Sequence, residues 1–142
     1  MKRSLLVGVL LSLVALAAQA QSNAAPSLHV ALNPCQVFSG SLAANTAYGI
    51  TVRGACNIPA EATAVEVAVI VSATDAGSLK AWEYDGLEPS AAVMTYAAAG
   101  ASSLAVPRLC EPAGECFHDV SLKSSTATTI TLTAVGYFQP PE

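Results

Sequence analysis

Ala64-Val65-Glu66-Val67-Ala68-Val69-Ile70-Val71-Ser72-Ala73-Thr74 is the stretch on which the fold turns. Valines at 65, 67, 69 and 71 recur with the period of a strand, and their branched side chains crowd a helix but pack well on a pleated surface. Glu66, Ala68, Ile70 and Ser72 take the opposite face. The strand is therefore expected to begin half exposed, to become buried on both sides, and to lie centrally in a sheet.

Outward from this strand the chain keeps the same rhythm. Strand character is read at Leu28 to Leu32, Ala47 to Val52, Ser78 to Tyr84, Ala92 to Ala97, Ser103 to Val106, Phe117 to Leu122 and Thr126 to Phe138. Turns are read at Asn33-Pro34, Gly54, Asn57-Ile58-Pro59, Asp75-Ala76-Gly77, Asp85-Gly86, Gly100 and Pro112-Ala113-Gly114. In the last strand Ile130, Leu132 and Ala134 alternate with Thr129, Thr131 and Thr133, which suits one dry and one wet face. Tyr137 and Phe138 point to opposite faces, so at least one belongs to the core. The alanine-dense Ser90 to Ala101 also permits a helical reading, but Val93, Thr95 and Tyr96 favour a strand, and Pro89, Gly100 and Pro107 leave no good cap. The predicted fold is an all-β antiparallel sandwich of seven or eight strands, Ig-like or jelly-roll-like.

The N-terminus places this domain in an oxidising compartment. Lys2 and Arg3, an apolar run from Leu5 to Ala18 and the small-x-small Ala18-Gln19-Ala20 have the pattern of a secretory signal peptide over residues 1–20. The division expected is signal peptide 1–20, lead-in and first strand 21–33, sandwich module 34–138 and tail 139–142. No cysteine directly follows the cleavage pattern and the tail Gln139-Pro140-Pro141-Glu142 carries no membrane signal, so secretion, to the periplasm or beyond, is the expected localisation. No later segment is long and apolar enough to span a bilayer.

Beyond residue 20 only Arg53, Lys80, Arg108 and Lys123 are basic, against ten carboxylates, a net charge of −6. Four scattered cations build no phosphate-binding stripe, so neither nucleic acid nor anionic lipid is an expected partner.

Cys35 and Cys56 have twenty residues between them, Cys110 and Cys116 five. Four cysteines permit three pairings, and the sequence-adjacent one is the most economical: Cys110–Cys116 would clamp a turn, and Cys35–Cys56 would tie the first strand to the segment after the second. The metal alternative lacks the two-to-four-residue spacing of a zinc knuckle and a histidine at ligand spacing, so no metal or other cofactor is expected.

With strands and cysteines placed, the order of landmarks resembles a β module found singly and in arrays in secreted and surface bacterial proteins. That module opens on Cys-Arg-x-x-Asp-Thr-Arg, continues through Gly-x-Cys-Gly-Ile-Pro, a valine-rich strand and a glycine followed by an aromatic strand, and ends on Gly-Tyr-Phe. Its counterparts here are Cys35-Gln36-Val37-Phe38-Ser39-Gly40, Gly54-Ala55-Cys56-Asn57-Ile58-Pro59, Val65 to Val69, Gly77 to Trp82 and Gly136-Tyr137-Phe138. The resemblance implies an accessory part beside catalytic or adhesive domains, with no settled activity of its own. Phe38-Ser39-Gly40 replaces the module's Asp-Thr-Arg, so whatever contact those charges make is absent.

Catalytic chemistry is not indicated. His118 and Asp119 are adjacent, but neighbours on a strand face opposite ways and cannot form a dyad; His29 stands alone, and no nucleophile elbow or His-Glu-x-x-His occurs. Asp75, Glu83, Asp85 and Glu88 cluster around turns without the spacing of a calcium loop. Trp82 and Tyr84 are the candidate ligand-binding residues, with Lys80: at i and i+2 they share a face beside carboxylates, an arrangement that stacks on sugar rings. The alternative is that they fill the sandwich interior, where a lone tryptophan more often lies. The expectation is thus a monomeric, non-catalytic surface or extracellular module for cell-wall or other polysaccharide, or for a surface protein. The alternative is a pilus-like subunit assembled by exchange of its Leu28 to Leu32 strand; the proline-ended C-terminus argues against that, because proline blocks edge pairing.

Overall fold

The computed structural model describes residues 27–142; the expected signal peptide lies outside the described residues. Eight strands form: β1 (Leu28–Leu42), β2 (Ala47–Ile50), β3 (Ala64–Ala73), β4 (Gly77–Glu83), β5 (Met94–Tyr96), β6 (Ala101–Ala105), β7 (Val120–Ser124) and β8 (Thr128–Gln139). One sheet has the order β1-β8-β3-β6 and the other β2-β7-β4-β5, with antiparallel pairing throughout. Strands 1 and 8, 2 and 7, 3 and 6, and 4 and 5 are thus each hydrogen-bonded, the winding of a jelly roll rather than an Ig sandwich.

Every strand except β4 is followed in the chain by one in the other sheet; β4 is followed by its own neighbour β5. Connections of three or four residues lie at one end of the sandwich, and connections of ten to fourteen at the other: 51–63, 84–93 and 106–119. The core between the sheets is built from Val65, Val67, Val69, Val71, Ile130 and Leu132 of the first sheet against Ile50, Leu79, Val120 and Leu122 of the second. Val52, Ile58 and Leu109, all essentially inaccessible, plug the loop-rich end.

β3 lies inside its sheet between β8 and β6, as its valines predict. Its other face is not buried: Ile70 is 54% exposed and Ser72 is exposed, because none of the described elements packs on that side of the sheet. Asn33-Pro34 is not a turn. β1 runs through it by slipping register against β8 between Ala31 and Cys35, so proline's missing donor falls in a bulge on an edge strand. The N-terminal half of β1 pairs with the chain's own β8, Leu28 opposite Gln139. β7 begins at Val120, which leaves Phe117 and His118 in the preceding loop. Tyr137 packs on the core, whereas Phe138 stacks on His29 with ring centroids 4.9 Å apart on the outer face.

Both expected disulfides form, Cys35–Cys56 with Cα atoms 5.9 Å apart and Cys110–Cys116 at 6.3 Å. They staple the loop-rich end: the first ties the 51–63 loop to β1, and the second closes the 106–119 loop on itself. Between them lies a buried ion pair. Arg53 Nη1 donates to Asp119 Oδ1 at 2.8 Å and to the Cys110 carbonyl at 2.9 Å, and both Nε and Nη2 donate to the Ala62 carbonyl. Asp119 Oδ2 accepts from the Val52 and Arg53 amides at 2.7 and 2.8 Å. Buried charges persist only when so fully partnered.

Candidate functional site

The outer face of the second sheet carries the candidate residues. Along β4, Leu79 and Ala81 turn to the core, so Lys80 and Trp82 turn away from it, and Tyr84 continues their row. Trp82 and Tyr84 are half-buried and neither belongs to the core cluster. The open alternative for Trp82, a place between the sheets, is therefore not the one it takes: that interior is filled by aliphatic side chains and by Tyr96, whose hydroxyl bonds Ser124 Oγ at 2.5 Å.

Register sets the neighbours. Trp82 lies opposite Ser121 of β7, which lies opposite Gly49 of β2; one step along, Lys80 lies opposite Lys123 and Lys123 opposite Ala47. Over Gly49 sits the His118 imidazole, packed edge-on against Tyr84 at 5.1 Å and against Phe117 at 4.7 Å. A β-carbon at position 49 would run into both the His118 and Tyr84 rings, so a glycine in this strand is what lets the imidazole approach the sheet so closely. His118 Nδ1 is 3.2 Å from the Thr51 hydroxyl. Phe117 is 82% exposed and extends the aromatic strip towards the loops.

His118 and Phe117 thus join Trp82 and Tyr84, which the strand reading of Phe117 to Leu122 did not reveal. Gly49 was the available signal, since a glycine inside a strand often marks the close approach of another group. The adjacency of His118 and Asp119 creates no dyad. Asp119 points inward to Arg53 while His118 lies on the outer face with Thr51 as its hydrogen-bond partner.

Beyond Trp82 the face changes from aromatic to charged. Lys80 Nζ donates to Glu88 Oε1 at 2.9 Å and Lys123 Nζ donates to Glu88 Oε2 at 2.8 Å. These bonds, that from Lys123 first, hold the Glu88 carboxyl below its ordinary value of 4.5. A small open pocket adjoins them, lined by Asn45, Ser78, Lys80, Glu88, Lys123 and Ser125. At about 3.3 Å per residue, Ser78 to Tyr84 spans about 20 Å, so the polar pocket and the aromatic strip lie along one strand. Glu88 is committed to the lysines, and among the described residues no three His, Cys, Asp or Glu side chains converge as a metal ion would require.

The first sheet's outer face differs. Thr129, Thr131 and Thr133 face outward, with Ser41 and Ser39 bonded to the first two at 3.2 Å. There His29 Nε2 lies 2.9 Å from Glu66 Oε2, and the imidazole passes over Gly136. Compared with known proteins, the chain matches no family model and no curated sequence. The fold and this face together define an eight-stranded, disulfide-stapled jelly roll with an aromatic and charged track on one outer surface. No helix among the described residues is long and apolar enough to cross a membrane.

Proposed function

We propose that this protein is an exported, non-catalytic module that binds cell-wall or other polysaccharide along the outer face of its second sheet. The observation that carries the reading is the position of Trp82 and Tyr84: two aromatic rings kept out of the core, on a shared open face, in line with a polar pocket. Flat aromatic surface stacks on the apolar faces of sugar rings, and adjacent hydroxyl, amide and charged groups fix their orientation. A track about 20 Å long suits a chain of sugars better than one ring. Two disulfides and the N-terminal signal pattern support an extracellular or periplasmic setting. The same resemblance to accessory modules of secreted and surface bacterial proteins leans this way. A monomer is the expected form, since the strand available for exchange is already paired within the chain.

The test is co-sedimentation of the exported, oxidised protein with purified cell walls and insoluble polysaccharides, beside Trp82→Ala/Tyr84→Ala. The variant should stay folded and lose binding. Absence of binding by the unaltered protein on every polymer, or retention by the variant, rejects the reading.

A further inference from the structure

We infer that Lys80 and Lys123 are a carboxylate subsite for an acidic, uronate-bearing saccharide, and that Glu88 occupies that subsite in the free protein as an internal stand-in for the ligand. The inference rests on the polysaccharide reading above and adds the ligand's charge and a latch.

Its ground is an arrangement that costs stability without a partner. Lys80 and Lys123 are directly opposite on neighbouring strands, and like charges so placed repel. They are the only lysines beyond residue 20, and both fall in this one cross-strand pair, next to the Trp82 row. The carboxylate that neutralises them comes from neither strand. Glu88 belongs to the 84–93 loop and reaches back over β4 with one oxygen to each lysine.

That loop is lightly held. Among the described residues the hydrogen bonds of Glu88 are the only ones made by side chains of residues 85–92, and Leu87 at its tip is 96% exposed. Surface ion pairs of this kind are weak, so the latch can open. An incoming carboxylate that replaces Glu88 exchanges like for like at the two ammonium groups, and ring stacking on Trp82 and Tyr84 then decides the equilibrium. The pocket beside the pair is where such a group enters. Because the rest of the surface is net negative, attraction of a polyanion has to be local to this pair.

The experiment measures binding of polygalacturonate and of a neutral xylan by affinity electrophoresis and calorimetry, with folding checked by near-UV circular dichroism. Four proteins are compared with the parent: Glu88→Gln, Lys80→Ala/Lys123→Ala, Trp82→Ala/Tyr84→Ala, and Glu66→Gln. The last makes the same charge change on the other sheet. Glu88→Gln should bind polygalacturonate about tenfold more tightly, because no latch need be displaced, while Glu66→Gln matches the parent. The double lysine variant should lose polygalacturonate binding. The inference is overturned if Glu88→Gln behaves like Glu66→Gln, or if the lysine variant still binds polygalacturonate as the parent does. Xylan binding that depends on Trp82 and Tyr84, with no polygalacturonate binding by any of the proteins, would overturn it while leaving the wider reading intact. No binding of either polymer by any protein, Glu88→Gln included, defeats both.

Discussion

The two outer faces of this sandwich are made from the same topology and very different chemistry. On the first sheet, short hydroxyl side chains pair with one another across β1 and β8, and His29 bonds Glu66 on the same face. On the second, rings and long charged side chains lie across β2, β7 and β4 and share contacts. Each face seats an imidazole over a strand glycine, His29 over Gly136 and His118 over Gly49. The same backbone device thus serves two ends. His29 spans to a single carboxylate, whereas His118 is wedged between two other rings and becomes part of a continuous surface.

The largest expected effect is one that both faces share. Asp119→Ala leaves the Arg53 guanidinium buried without its carboxylate and removes the acceptor of two backbone amides. A loss of about 3–5 kcal/mol is expected in denaturant unfolding. Because the pair sits at the loop-rich end beneath both sheets, spectroscopic probes of Trp82 and of the first sheet should report one common transition. Separate transitions would mean that the two faces belong to independently stable layers.

The glycines sharpen the contrast at the next scale. Gly49→Ala drives a methyl group into the His118 and Tyr84 rings, an overpacking that costs about 1–3 kcal/mol. Gly136→Ala meets the tip of one exposed imidazole that can swing aside, so it should cost less. Thermal midpoints of the two variants decide the matter, and equal shifts would show that the rings over Gly49 are as free to move as His29.

The smallest effect is a pH dependence confined to the second face. The Glu88 carboxyl is held below 4.5 in the folded protein by Lys123 and Lys80, so its ionised form favours folding. That contribution is full above the unfolded value and fades as pH falls through the lowered folded value. The thermal midpoint of Glu88→Gln should therefore lie below that of the parent at neutral pH and converge on it under acid. A gap that is constant with pH would detach Glu88 from the lysines.

Much of this architecture is legible in the chain. The alternating valines of β3 and the threonine-apolar alternation of β8 declare two strands whose inner faces are the core, and the eight strands read from the sequence occur in the order expected. The errors have specific causes. Asn33-Pro34 carries turn chemistry but lies in an edge bulge, which only the pairing of β1 with β8 reveals. Ile70 looks buried by composition but is exposed, because none of the described elements packs outside the first sheet. Trp82 is on the outer face although a lone tryptophan usually favours the core, and alternation with Leu79 and Ala81 was the local sign of it.

Period along the chain is enough for the all-β class and for the shared side of Lys80, Trp82 and Tyr84, and loop closure favours the disulfide pairing among the three possible. The jelly-roll winding, the place of His118 and Phe117 in the aromatic strip, and the opposition of Lys80 and Lys123 under Glu88 emerge only once the sheets are assembled. Those facts depend on which strands become neighbours and in what register, a property of pairing between distant segments that no local pattern encodes.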